Sequence, residues 1–434
     1  MPRIVHLGLG AFHRAHQAVY LQRLMALGER EWTLAGGNLR PDAPDIIQAL
    51  QASGGVYTLE TVAPDGSRQW ERITSLTEII ACTPGWTEFV RVGSDPATRI
   101  ISFTVTEAGY EARGAEPPLI FEVLSLMLEA RMRAGAGPVT LLCCDNLRHN
   151  GDRTRSGLQA HLRERNAGEL ARWVDEHTAC PNTMVDRITP RPTPQVRERA
   201  LQATGIGDPA SLMAESYVQW VIENNFAAGR PAWERVGAEL VADVSPYEEA
   251  KIRLLNAAHS CLAWAGTLAG HTFVHEDARD PKVCAIALDY ATHDAIPVLR
   301  PSPVDLERYR DSVIERFRNS ALADSNQRIF TDSYAKIAAF VAPTVADRLS
   351  VGASVDAVAM LPALYLACLR LFAGGRAPFE YSDQAFELAA AMRLCSAPDP
   401  VAALASDERL WGRWAGDARW VDALRRASAR VAAP

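Results

Sequence analysis

The stretch RIVHLGLGAFHRAHQAVYL, residues 3–21, decides how the rest of the chain is read. A short β-branched run leads straight into Gly8-x-Gly10. A helical spacing of Phe12, Ala15, Val19, Leu21, Leu24 and Met25 follows and stops at Gly28. WTLAGG, residues 32–37, then reads as a second short strand. Strand, glycine turn, helix and strand in this order predict a βαβ unit with a parallel sheet. A glycine turn there lets backbone amides and a helix start meet a pyrophosphate, so Gly8, Gly10 and the adjoining Phe12 are candidate dinucleotide contacts. The third glycine of the full fingerprint is missing, because His13 stands in its place. The bland alternative is a tight strand-to-helix turn.

Cofactor choice rests on the end of the second strand, where an acidic residue commonly binds the ribose 2′-hydroxyl of NAD. GGNLRPDAPD, residues 36–45, offers Asn38 and Asp42 for a hydroxyl and Arg40 for a 2′-phosphate. NAD is the expected cofactor, with NADP left open by Arg40.

Further along, VYTLETVAPDGSRQWERITS (56–75) carries a Pro-Asp-Gly turn between two strand-like runs, a hairpin signal. TRIISFTVTEAGY (98–110) and GPVTLLCCDNLRHNG (137–151) are apolar runs of the kind buried on both faces of a parallel sheet, with PPLIFEVLSLMLEARMRAG (117–135) as an amphipathic helix between them. In doubly wound sheets ligands bind outside the carboxyl ends of strands, where GLGAFHRAH, TEAGY and CDNLRHNG begin. From about residue 244 helical patterns dominate, at 245–269, 303–322, 353–373 and 383–395. The fold class expected is α/β: a Rossmann-like dinucleotide-binding domain with additional strands over 1–243, then a mainly α-helical substrate and catalytic domain over 244–434.

The 434 residues suffice for two cores. With 22% charged and 48% hydrophobic residues the balance is that of a soluble globular protein. A formal net charge of −7, with Lys and Arg scattered, argues against a nucleic-acid partner. No stretch approaches the ~20 apolar residues of a membrane span, and the N-terminus lacks a secretory pattern. Eight widely spaced cysteines without a C-x-x-C pair read as reduced thiols of a cytoplasmic protein.

KIRLLNAAH, residues 251–259, sets three functional side chains into an apolar helical pattern. On an α-helix Lys251, Asn256 and His259 fall at about 0°, 140° and 80°, on one side. A desolvated lysine is a general base suited to an alcohol, an asparagine amide can donate to an oxygen gaining negative charge, and a histidine can hold either. The competing reading is a surface lysine beside a packing asparagine and a satisfied histidine. A metal site built from His259, His271, His275, Glu276 and Asp277 is set aside, because AGHTFVHEDARD (269–280) carries a glycine and β-branched residues that disfavour a helix bearing His271 and His275.

Six stretches together resemble the polyol-specific long-chain dehydrogenases, the mannitol dehydrogenase family. They are HLGLGAFHRAHQAVYL (6–21), FTVTEAGY (103–110), CDNLRHNG (144–151), NTMVDRITPRPTP (182–194), KIRLLNAAHSCLAWAGTLAG (251–270) and RIFTDSYAKI (328–337), in the family's order. The resemblance implies a metal-independent enzyme, often monomeric, acting on small polyols or ketoses, with its active site between the two domains. It implies Lys251 as general base, Asn146 and Asn256 as amides holding the reacting oxygen, and His259 as a further partner. Asp186, Arg328 and Lys336 would bind the remaining hydroxyls, while Thr106 and Glu107 would lie near the nicotinamide. Ser333 and Tyr334 depart from the Gly and Ser common in relatives. Rival readings are mannitol 2-oxidation, uronate reduction, and a catalytically silent dinucleotide-binding sensor. The tail LWGRWAGDARWVDALRRA (410–427) can either pack on its own domain or meet a partner.

Overall fold

A computed structural model describes residues 1–41, 43–105, 109–110 and 117–432. The chain forms two compact units: Met1–Ala63 with Ser67–Ser245, and Pro246–Pro434 with Pro64–Gly66.

The first unit contains twelve described strands. These are β1 (Arg3–Leu7), β2 (Thr33–Gly37), β3 (Tyr57–Val62), β4 (Arg68–Ile73), β5 (Leu76–Ile79), β6 (Thr98–Phe103), β7 (Val139–Cys143), β8 (Thr178–Ala179), β9 (Thr183–Asp186), β10 (Leu212–Glu215), β11 (Gln219–Glu223) and β12 (Glu239–Val241). Six form a parallel sheet in the order β5-β2-β1-β6-β7-β8. The order reverses direction at β1, which pairs with β2 on one side and β6 on the other, so the switch point of a doubly wound sheet lies beside the glycine turn. Strand alternation divides the core. Ile4, Leu34, Ile100 and Leu142 face one apolar cluster, while Val5, Leu7, Ile101, Phe103 and Leu141 face the other. The predicted hairpin is β3 and β4, antiparallel from Tyr57↔Ile73 to Val62↔Arg68. It forms a three-stranded sheet with β10, while β12, β11 and β9 form another.

One expectation fails at the first helix. The continuous helix read from the spacing is two helices, Ala11–Ala15 and Gln17–Ala26, broken at His16 (φ −123°, ψ −87°). Other groups take the carbonyls that would continue the ladder. The Tyr57 hydroxyl donates to Arg14 O at 2.6 Å, and Arg187 Nη1 donates to Ala15 O. A side chain inserted into the i→i−4 ladder breaks a helix in this way.

The second unit is helical. Ser245–Ala250, Lys251–Asn256 and Ala257–Ala269 run on continuously, but the middle piece is a π-helical turn, in which Ala257 N–H bonds Ile252 O. The helix expected from residue 353 begins at Met360. The tryptophan tail packs within its own unit: Trp411, at the end of the short helix Glu408–Trp411, and Trp420, on the helix Ala418–Ala432 set against Met360–Ala373, are buried with ring centroids 4.5 Å apart. No described helix is long and apolar enough to cross a membrane.

Candidate functional site

The two glycines of the first turn have different reasons to be glycine. Gly8 has φ +98°, and a Cβ there would lie 2.0 Å from the Thr104 carbonyl oxygen. The close passage of the chain beyond β6 therefore demands it. Gly10 has φ −80° and is exposed, and its Cβ would meet only Gly8 O at 4.0 Å. Packing does not require glycine there, and its bareness leaves the backbone open at the carboxyl end of β1. That open backbone leaves room for a dinucleotide pyrophosphate. Because the helix after Gly10 has only five residues, its dipole adds little and approach to the backbone matters more. Phe12 stacks on His16, centroids 5.0 Å apart, and Asn38 and Arg40 follow the end of β2. Asp42, Thr106 and Glu107 lie outside the described residues.

Beneath the turn lies a cluster of buried histidines that was not singled out from the sequence. His6 shares the Ile4 face of β1 and stacks on His13, centroids 3.5 Å apart. Its Nδ1 meets Ser102 Oγ at 2.8 Å and its Nε2 meets Thr104 Oγ1 at 3.0 Å. Burial lowers the His6 pKa to about 3 and that of His13 well below the ordinary value. His16 Nε2 sits 2.8 Å from Gln219 O, which makes it the donor. Together these contacts hold β1, the turn and the broken helix as one piece.

Asn146 stands exposed just past β7, on a segment braced by its neighbours. Asp145 Oδ2 accepts from the Tyr110 hydroxyl at 2.7 Å and Val105 N–H at 3.1 Å. Asn150 is locked to β9, its Nδ2 donating to Thr183 O and its Oδ1 accepting from Thr183 N–H, both at 2.9 Å. Asp186 is buried at the end of β9. Arg187 beside it donates to the carbonyls of Glu215 and Ala15. Such backbone bracing is specified by the fold and leaves no sequence motif.

In the second unit the α-helical angles assumed for KIRLLNAAH do not apply. A π-turn closes i→i+5, so Lys251 and Asn256, five apart, stand at the ends of a single turn on one face. Lys251 is buried. Asn256 Nδ2 is buried with no hydrogen-bond partner among the described residues. Such a donor can serve an oxygen that gains negative charge. Arg253, inside the turn, is fixed by Glu249 at 2.7 Å and Asp347 at 2.5 Å.

His259 stacks on Phe317, centroids 4.4 Å apart, and its Nε2 lies 3.3 Å from Asp324 Oδ2, within ion-pair range but off hydrogen-bond alignment. Burial lowers the His259 pKa, partly offset by Asp324, so the imidazole is neutral near pH 7. Asp324 also takes Arg328 in a two-pronged clamp, Nε to Oδ1 and Nη2 to Oδ2. Although half-buried, it is held well below the usual carboxylate range by His259 and Arg328. Lys336 Nζ donates to Ile329 O at 2.6 Å, and burial, aided by Arg328, lowers its pKa to about 8. His259, Asp324, Arg328 and Lys336 thus form one charged cluster. Asp324 was missed from the sequence, although its spacing four residues before Arg328 was a signal.

Ser333 and Tyr334 are buried and structural. Ser333 Oγ accepts from Trp264 Nε1 at 2.9 Å, while Tyr334 donates to Asp407 at 2.7 Å and stacks on Phe386. Of the discarded metal residues, His275 Nδ1 and Asp277 Oδ2 are buried with no hydrogen-bond partner among the described residues. His271 Nδ1 lies 3.1 Å from Asp277, and Val274–Arg279 is helical after all, because Glu276 Oε2 accepts from the amides of Thr272 and Phe273 and caps it. Among the described residues no group of three or more His, Cys, Asp or Glu is placed to hold a metal.

The model of the mannitol dehydrogenase Rossmann domain matches residues 2–235, and that of the mannitol dehydrogenase C-terminal domain matches 243–429. The chain belongs to the mannitol dehydrogenase family. Within it, D-arabinitol 4-dehydrogenase of Ralstonia nicotianae is 50% identical over 452 aligned positions, covering 100% of this chain and 97% of that protein. D-arabinitol 4-dehydrogenase of Klebsiella pneumoniae is 44% identical, covering 98% and 97%. Among solved structures, the ternary complex of Pseudomonas fluorescens mannitol 2-dehydrogenase with NAD and D-mannitol superposes with a TM-score of 0.86 at 32% identity, covering 99% of this chain and 92% of that one.

Proposed function

We propose that this member of the mannitol dehydrogenase family oxidises a secondary hydroxyl of an acyclic polyol to a ketone with NAD, acting on D-arabinitol to give D-xylulose. The observation that carries the reading is the π-turn with a buried lysine at one end and an unpartnered buried amide donor at the other, in a chain 50% and 44% identical to two D-arabinitol 4-dehydrogenases.

In this reading Lys251 Nζ takes the hydroxyl proton as the C–H bond breaks and the C=O bond forms, and it returns that proton in reduction. Asn256 Nδ2 donates to the oxygen while it carries partial negative charge, with Asn146 as the second amide. His259 contacts the polyol beside that oxygen. Asp186, Arg328 and Lys336 bind the remaining hydroxyls. Gly8 and Gly10 hold the dinucleotide, which when bound supplies the hydride acceptor, and Asn38 favours the ribose hydroxyl of NAD. No metal is needed where a lysine accepts the proton and amides stabilise the oxygen.

Mannitol 2-oxidation is the nearest rival. Uronate reduction is disfavoured because both relatives named above with full-length coverage are D-arabinitol 4-dehydrogenases. A panel of D-arabinitol, D-mannitol and fructuronate, each with NAD and NADP, tests the reading. D-arabinitol with NAD should give the highest kcat/KM. Preference for another substrate overturns the substrate assignment, and no turnover of any polyol leaves the dinucleotide-binding sensor.

A further inference from the structure

Asp324 has no place in the reaction as written above, yet it is the only carboxylate shown touching both His259 and Arg328 among the described residues. Its backbone is set independently of those contacts. Val274 N–H donates to Asp324 O at 2.9 Å and Asn326 N–H donates to Thr272 O at 2.9 Å, an antiparallel bridge that ties 324–326 to 272–274. Ala323, in the left-handed region at φ 47°, turns the chain just before it. The carboxylate is therefore presented from a fixed segment, whereas His259 comes from the helix Ala257–Ala269 and Arg328 from the short helix Asn326–Phe330.

A neutral imidazole carries one proton, and the nitrogen that bears it is set by what the other side meets. A carboxylate 3.3 Å from Nε2 attracts an N–H there and repels a lone pair. Phe317 stacks on the ring and limits its tilt. The nitrogen left with a lone pair is then Nδ1, an acceptor for a hydroxyl proton. The same carboxylate fixes the Arg328 guanidinium through both oxygens, which orients its planar fork.

We propose that Asp324 is a positioning residue that selects the Nε2–H tautomer of His259 and fixes the direction of Arg328, so that the imidazole meets a polyol hydroxyl as an Nδ1 acceptor. This rests on the reading of His259 and Arg328 as polyol contacts, but the tautomer is measurable without turnover.

The experiment uses the full chain. Long-range ¹H–¹⁵N correlation, with the His259 signals assigned by His259→Asn, reports the protonated nitrogen. Wild type should show Nε2–H with a bare Nδ1, and Asp324→Leu should show a mixture or the opposite tautomer. Asp324→Asn keeps the shape and one acceptor oxygen but loses the charged clamp. Its KM for D-arabinitol should rise about tenfold with kcat within about threefold, whereas Asp324→Leu should lose about 10²-fold in kcat/KM. NADH binding should be unchanged in both. Nδ1–H in wild type, or Nε2–H retained unchanged in folded Asp324→Leu, overturns the proposal. If Asp324→Leu does not fold, the wild-type tautomer and the KM of Asp324→Asn decide, an unchanged KM overturning the Arg328 half. Absence of any polyol turnover by wild type would instead sink the proposed function, and the tautomer would still decide what Asp324 does.

Discussion

The Tyr290 hydroxyl donates to the carbonyl oxygen of Arg253, 3.0 Å away, inside the π-turn that runs from Lys251 to Asn256. A π-turn shifts the helical hydrogen-bond register, and a side-chain donor at such a carbonyl stabilises the irregular geometry. Tyr290→Phe removes that donor at a buried site. It should cost about 1 kcal/mol, a fall in Tm of roughly 2–4 °C, and should lower kcat with NADH binding unchanged. Calorimetry beside steady-state kinetics checks this. A fall in Tm with full kcat would separate the hydroxyl from the placement of Lys251 and Asn256.

Lys251→Met should abolish polyol oxidation, by about 10³-fold or more, while NADH fluorescence titration stays near wild type. Asn256→Ala should cost about 10²–10³-fold in kcat, as expected for loss of one donor to a developing oxyanion. A Lys251 variant retaining more than about a tenth of the rate would remove the lysine from its role as base.

Alanine at each glycine of the turn should separate fold from binding. At Gly8 it meets Thr104 O at 2.0 Å in a left-handed conformation, so Gly8→Ala should destabilise the first unit by roughly 3 kcal/mol. At Gly10 the space is open, so Gly10→Ala should leave stability within about 0.5 kcal/mol while weakening NAD binding. Urea unfolding and NAD titration on both variants give the comparison, and equal binding by Gly10→Ala and wild type would dissociate Gly10 from the dinucleotide.

Acid should destabilise the first unit before its carboxylates protonate. His6 and His13 have native pKa values below the unfolded value of about 6.5, so the unfolded chain takes up their protons first. Their contribution is complete above about pH 6.5 and falls as pH drops below it, for His6 until about pH 3 and by up to ~1.4 kcal/mol per pH unit. His13→Phe should therefore flatten the dependence of unfolding free energy on pH below about 6.5. An unchanged slope would mean that His13 titrates normally in the native state.

Elements with a strong local signature were legible in the residues. The strand, glycine turn and second strand of 3–37, the hairpin around Pro64-Asp65-Gly66 and the long helix ending at Gly135 follow from apolar period and turn chemistry, which act over a few neighbours. The sequence also singled out the polar residues of KIRLLNAAH and the CDN segment. It was silent wherever a partner distant in the chain intervenes. Tyr57 and Arg187 break the first helix at His16, and Glu276 caps a helix that composition disfavoured.

The same division runs through the candidate site. The residue types on which the proposed chemistry rests were visible in the sequence, as a lysine, an asparagine and a histidine set into an apolar helical pattern. How they are aimed was not. The helix takes a π-turn from Lys251 to Asn256, whose Arg253 carbonyl meets a hydroxyl from residue 290, and the His259 ring lies 3.3 Å from a carboxylate of residue 324. Hydrogen-bond register and side-chain direction depend on contacts between groups tens of residues apart, and no local period in the sequence encodes those.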